Sequence, residues 1–120
     1  MADRGIRGAI QVREDSSEAL SDSVPRLLAA VFEANQIEPE DLISILFTST
    51  PDLRSDFPAA AARVLPLGDV PLICAVEVDV PGALPRVVRV LVHAESQLSR
   101  SQVKHVYLDG AEALRRDLAQ

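Results

Sequence analysis

The sequence contains no tryptophan, one tyrosine (Tyr107), three phenylalanines and one cysteine, Cys74. Aromatics make up 3 % of the 120 residues while 48 % are hydrophobic, so the core must be built from Val, Leu, Ile and Ala. A single cysteine excludes an internal disulfide and a cysteine-based metal cluster. Two histidines, His93 and His105, are too few for a histidine-based metal site, so no metal is expected. Lysine is nearly missing, since Lys104 is the one lysine among twelve cationic side chains. Genome composition accounts for such a bias, and so does a site that grips planar carboxylates with paired N–H groups. The net charge of −6 and the lack of a basic patch argue against nucleic acid as a partner. No apolar run approaches the roughly 18 residues of a membrane span. The segment M-A-D-R-G-I-R has no apolar signal core, so a cytoplasmic protein is expected. There is no G-x-S-x-G, no P-loop and no G-x-G-x-x-G. An enzyme with this sequence would not run nucleophilic or acid–base chemistry of a familiar kind.

What is present suits one domain spanning 1–120, with a tail from about residue 110 expected to move. A chain this short buries a modest share of its surface, so oligomerisation is an expected source of stability. Residues 4–13 predict a first strand, in which Gly5 and Gly8 imply a bulge or a close backbone approach. Leu20, Val24, Leu27, Leu28, Val31 and Phe32 form one helical stripe ending near Asn35. Pro25 lies within it, so either the helix kinks or its regular part begins near Ser23. Residues 42–50 predict a second strand buried on both faces. Pro58 opens a second helix that runs to Leu65, with Arg63 near its C-terminus, where the dipole favours a cation. Strands over 70–80 and 85–94 follow, then a helical turn at 101–104, a short strand at 105–108, and a short helix or tail after Gly110. Two main helices and a mixed sheet of about five strands make an α+β fold.

The segment 74–91, C-A-V-E-V-D-V-P-G-A-L-P-R-V-V-R-V-L, holds the most information. It reads as two strands joined by a loop. Glu77 ends the first apolar run, and Arg89 interrupts the second. Alternation puts Arg89 with Val87 and Leu91, and puts Val88, Val90 and Val92 on the other face. A half-buried arginine there needs a carboxylate, supplied either by Glu77 or by an anionic ligand. Cys74 and Glu77 are three apart, so both can line one site only if a bulge or strand end intervenes. Arg7, Arg63, Arg89, Arg115, Glu77, Tyr107 and Cys74 together make a set that binds a small polyanion by shape and charge.

Several of these residues fall into an ordered series: I-R-G-A near the start, T-P-D-L-x-x-x-F-P-A-x-A-x-R ending at Arg63, C-x-x-E-x-D-V with a later R-V, H-V-Y-L, and L-R-x-D-L. In this order the series resembles the monofunctional chorismate mutases of the trimeric α/β type, over nearly the whole chain. The resemblance implies a homotrimer with a barrel-like core and sites between subunits. It implies rearrangement of chorismate to prephenate, in phenylalanine and tyrosine biosynthesis, with no cofactor. It implies that Arg89 faces the ether oxygen, that Arg7 and Tyr107 hold carboxylate, and that Cys74 and Glu77 contact the ring hydroxyl. Phe57, Ala59, Leu72 and Ile73 would line the pocket, and Arg63, Leu114 and Arg115 would close its mouth. Two positions depart from the family pattern: Ala60 stands where Lys is frequent, and Arg116 where the tail often has Pro. Both bear on substrate affinity. The alternatives are a non-catalytic trimer of this fold that binds a small carboxylate, and an imine deaminase of a related barrel trimer.

Overall fold

The computed structural model describes residues 1–114. Its elements are β1 (Ala2–Gln11), α1 (Ser17–Asn35), a 3-10 turn (Pro39–Asp41), β2 (Leu42–Ser49), α2 (Pro58–Ala62), β3 (Leu72–Val76), β4 (Val87–Ser96), β5 (Val106–Leu108) and a second 3-10 turn (Ala111–Leu114). The five strands form one mixed sheet in the order β3-β2-β4-β1-β5. β4 lies at its centre, antiparallel to β1 and to β2. The two edge strands, β3 and β5, run parallel to their neighbours.

Helix α1 begins with Ser16, whose hydroxyl accepts the Ala19 N–H at 3.1 Å. It continues through Pro25, so the later start near Ser23 is ruled out. Its end is set by Gln36 in the left-handed conformation. Asn35 is the last helical residue, as expected, and it is buried.

The stripe on α1 packs on one face of the sheet. Ile6, Ile10, Ile45, Phe47, Val88, Val90 and Val92 meet Leu20, Val24, Leu27, Leu28 and Val31, and Ala61 and Ala62 of α2 complete the cluster. Phe47 is the largest wholly buried side chain. Strand pairing along β1 and β4 is continuous from Ala2 to Gln11, which excludes a bulge there. The close approach is real at Gly8. A Cβ at Gly8 would sit 2.9 Å from Val31 Cγ2, 3.1 Å from Val90 Cγ2 and 3.2 Å from Leu27 Cδ1.

Three expectations need correction. β2 is not buried on both faces in the protomer: Ile45 and Phe47 are buried, whereas Leu46 and Thr48 on the opposite face are half-buried. β3 covers only Leu72–Val76, because Pro71 precedes it and the chain leaves the sheet after Glu77. α2 stops at Ala62, three residues earlier than expected. No described helix is long and apolar enough to cross a membrane.

The fit of α1 over Gly8 is testable. Gly8→Ala should lower stability by about 1–3 kcal/mol through overpacking, read as a reduced urea midpoint. An unchanged midpoint would show that α1 stands off β1 further than described.

Candidate active site

The sheet face away from the helices carries a row of side chains fixed by register. Thr48 on β2 pairs with both Ala75 and Arg89, Arg89 pairs with Ala9, and Ala9 pairs with Tyr107. Directly paired residues share a face, and so do residues two apart on a strand. Arg7 therefore joins this face from β1, and Ile73 joins it through Leu46 and Leu91. Leu72 and Cys74 pair with Ile45 and Phe47 and point to the helix side, where they pack on the edge of the core.

Glu77 comes first after β3, and its N–H donates to Ser49 O at 2.9 Å, one rung beyond the last pair. The chain then turns away. Glu77 lies two residues past Ala75, the partner of Thr48, so alternation already puts its carboxylate on the Arg89 side. Thr48 Oγ1 donates to Glu77 Oε2 at 2.6 Å. The same oxygen lies 3.2 Å from Arg89 Nε. That distance makes an ion pair, yet the Arg89 Nε–H is not aimed at the oxygen and has no hydrogen-bond partner, although it is buried. Proximity and alignment therefore differ here, and alignment decides what the N–H can still bind. The side chain of Glu77 is 16 % exposed and that of Arg89 is 43 % exposed. A pair this open contributes little to stability. Its value lies in holding a cation in place with a donor unused.

The two groups open on a cleft of about 340 Å³ lined by Thr50, Pro51, Asp52, Arg54 and the 77–85 loop. A second cleft of about 500 Å³ holds Phe57, Cys74 and Leu53. Pro51 and Arg54 belong to both. Within one protomer, then, Cys74 and Glu77 lie in adjoining clefts. Both volumes fall in the range of small-molecule sites.

Neighbouring contacts fix the walls. Arg86 adopts a φ of 53°, unfavourable for a residue with a Cβ. Its N–H donates to the Asp52 carboxylate at 3.0 Å, its Nε donates to Val12 O at 2.9 Å, and its carbonyl accepts the Val12 N–H at 2.7 Å. Thr50 Oγ1 donates to Asp52 at 2.5 Å and accepts the Val87 N–H at 3.0 Å. Asp15 accepts the N–H groups of Arg54 and Ser55 at 2.9 and 3.0 Å. Hydrogen bonding from Ser55, then from the Arg54 backbone, holds the Asp15 carboxyl below its usual range.

Tyr107 packs with Ala9, Val87, Leu84, Ala111 and Leu114 in a small second cluster. Phe57 and Ile73 are largely exposed. Ala59 lies against the main core, and Arg63 caps α2 in the open. Arg115 and Arg116 fall outside the described residues. Thr48 and Arg54 escaped the sequence reading. Alternation sets Thr48 opposite Arg89 only once the strand pairing is known, and Arg54 looks like any loop arginine.

A family model for chorismate mutase type I matches residues 3–118. The chain belongs to the type I chorismate mutases. It is 50 % identical over 116 residues to the chorismate mutase AroH of Thermus thermophilus, covering 96 % of this chain and 95 % of that one. It is 39 % identical over 117 residues to the chorismate mutase AroH of Bacillus subtilis, covering 97 % and 92 %. A solved chorismate mutase from Clostridium thermocellum superposes with a TM-score of 0.89 at 39 % identity, over 92 % of this chain and 98 % of the other. Within this family the α+β fold and its five-stranded sheet are as expected from the sequence.

The Thr48–Glu77 bond can be probed apart from activity. Thr48→Val should cost about 1–3 kcal/mol, because it strips a donor from a mostly buried carboxylate. Thr48→Ser should restore the wild-type urea midpoint. Equal midpoints for all three proteins would mean that the hydroxyl is not bonded as described.

Proposed function

We infer that this chain is a chorismate mutase that rearranges chorismate to prephenate. Family membership and relatives of that name spanning nearly the whole chain support this. The observation that carries the mechanism is the buried, unbonded Nε–H of Arg89 on the central strand. In the rearrangement the ether C–O bond breaks as a C–C bond forms, and no proton is transferred. The ether oxygen gains negative charge on the way. A cation held rigidly beside it lowers the barrier without having to reorganise. Because the reaction needs neither nucleophile nor base, the lack of a catalytic triad in the sequence is no obstacle, and no cofactor is required.

The roles are those that the resemblance to the family implies. Arg89 would serve the ether oxygen, and Glu77 would steady the guanidinium and contact the ring hydroxyl together with Cys74, which in its own protomer lies in the adjoining cleft. Arg7 and Tyr107, on the same face, bind carboxylate. By the same resemblance Phe57, Ala59, Leu72 and Ile73 would wall the pocket, and Arg63, Leu114 and Arg115, the last outside the described residues, would close its mouth. Holding the substrate in its compact reactive conformer supplies a further part of the acceleration. The full site assembles in a homotrimer with a barrel-like core, each chain contributing residues 1–120 as one domain, in the cytoplasm. The exposed Phe57, Ile73, Val76 and Val78 are apolar groups that such an assembly would cover.

Chorismate absorbance should decay when protein is added at micromolar concentration, and no decay would end this reading. Arg89→Ala should lose about 3 kcal/mol or more of barrier lowering, a more than hundredfold drop in kcat with the trimer intact by light scattering. Retention of over a tenth of the activity would remove Arg89 from its assigned role.

A further inference from the structure

We propose that His105 is a positioning residue that sets the strand carrying Tyr107 against the strand carrying Arg7, acting through the Arg7 backbone N–H. This rests on the assignment of Arg7 and Tyr107 to substrate carboxylate.

β5 is a three-residue edge strand, and among the described residues β1 is its one partner in the sheet. Three rungs of parallel pairing fix register weakly. Side chains make up the difference on both sides of the strand. Before it, the buried Asn35 of α1 accepts the Lys104 N–H at 2.7 Å and donates to Lys104 O at 2.9 Å. After it, Arg26 of α1 is bonded to Asp109 and lies 3.3 Å from Asp22. Between these two, His105 Nδ1 accepts the Arg7 N–H at 3.0 Å. Gly8 faces Val106, so Arg7 and His105 sit one rung beyond the last ladder pair. A ring nitrogen stands there in place of a strand carbonyl. Of the three clamps, this one alone reaches β1 and a residue assigned to the substrate.

An imidazole that accepts at Nδ1 keeps its proton on Nε2 and is neutral. Protonation at Nδ1 would set one N–H against another and add a charge next to Arg7. Burial first, and then the Arg7 charge, lower the pKa of His105 from its ordinary value of 6.5. From α1, the side facing this end of β5 is the uncharged Asn35, while Arg26 and Asp22 meet Asp109 at the far end. The sign follows from the lowered value. The undocked ring takes up a proton before the docked one does. The clamp is at full strength above about pH 6.5 and weakens as the pH falls below it.

Steady-state kinetics with chorismate on the wild type, His105→Ala and His105→Asn test the proposal. Asparagine can place an amide oxygen where Nδ1 stood without titrating. His105→Ala should raise KM about fivefold, the worth of one net hydrogen bond, and change kcat less. His105→Asn should return KM close to wild type. Between about pH 7.5 and about pH 5.5 the wild-type KM should climb while that of His105→Asn stays level. A side chain needed only for folding would lower the active fraction, and hence kcat, without moving KM or its pH dependence. An Ala variant with wild-type KM, or an Asn variant with the same acid rise, would overturn the proposal.

The Arg7 backbone amide resonance gives a reading independent of turnover. It should titrate with the His105 ring in the wild type and lie flat in His105→Asn. If the wild type leaves chorismate untouched while the amide titrates, the clamp stands and the substrate assignment falls. If the amide does not titrate, the clamp itself is wrong.

Discussion

A guanidinium on the central strand, paired with a carboxylate that also answers to a threonine, is the constraint around which this molecule is arranged. Glu77 Oε2 receives the Thr48 hydroxyl at 2.6 Å and lies 3.2 Å from Arg89 Nε. The hydroxyl takes the well-aligned position, so the arginine is held by charge while its Nε–H remains unspent. A fully bonded Arg89 would be a satisfied strand-to-strand pair and no more. The partial bond preserves both the cation and its capacity to bind a ligand oxygen.

The rest of the fold keeps that arrangement still. β4 is flanked on both sides by strands and backed by α1, so Arg89 has no edge at which to fray. Gly8 lets the helix close on β1 without a side chain in the gap. On the far side, Asp52 restrains Arg86 in a conformation most residues avoid, and the loop entering β4 is thereby fixed. The strain at Arg86 is offset by three backbone and side-chain bonds, and it sits three residues from Arg89. Backbone strain next to a functional group is a common arrangement.

Much of this was legible in the sequence. The stripe on α1, the valines of β4 and the alternation that isolates Arg89 all report burial, and burial follows periodicity. Alternation put Cys74 and Glu77 on opposite faces, and within the protomer they stay there, in adjoining clefts. The ordered motifs carried the family. What stayed hidden depends on strand order. Thr48 becomes meaningful only when β2 lies beside β4, and a one-dimensional pattern does not hold that adjacency. Asn35 marked the helix end, as expected, but its second role as a buried bracket between α1 and Lys104 was not legible. β2 looked buried on both faces because its apolar residues are continuous, while the protomer covers only the Ile45 and Phe47 side.

The scarcity of aromatic rings has a practical consequence at Tyr107. With no tryptophan and one tyrosine in the chain, the ultraviolet emission of the folded protein originates from a single phenol. That side chain packs on the buried group of Ala9, Val87 and Ala111, on the face that carries Arg89. The molecule therefore contains its own optical reporter, already installed on the sheet face that carries Arg89 and needing no label.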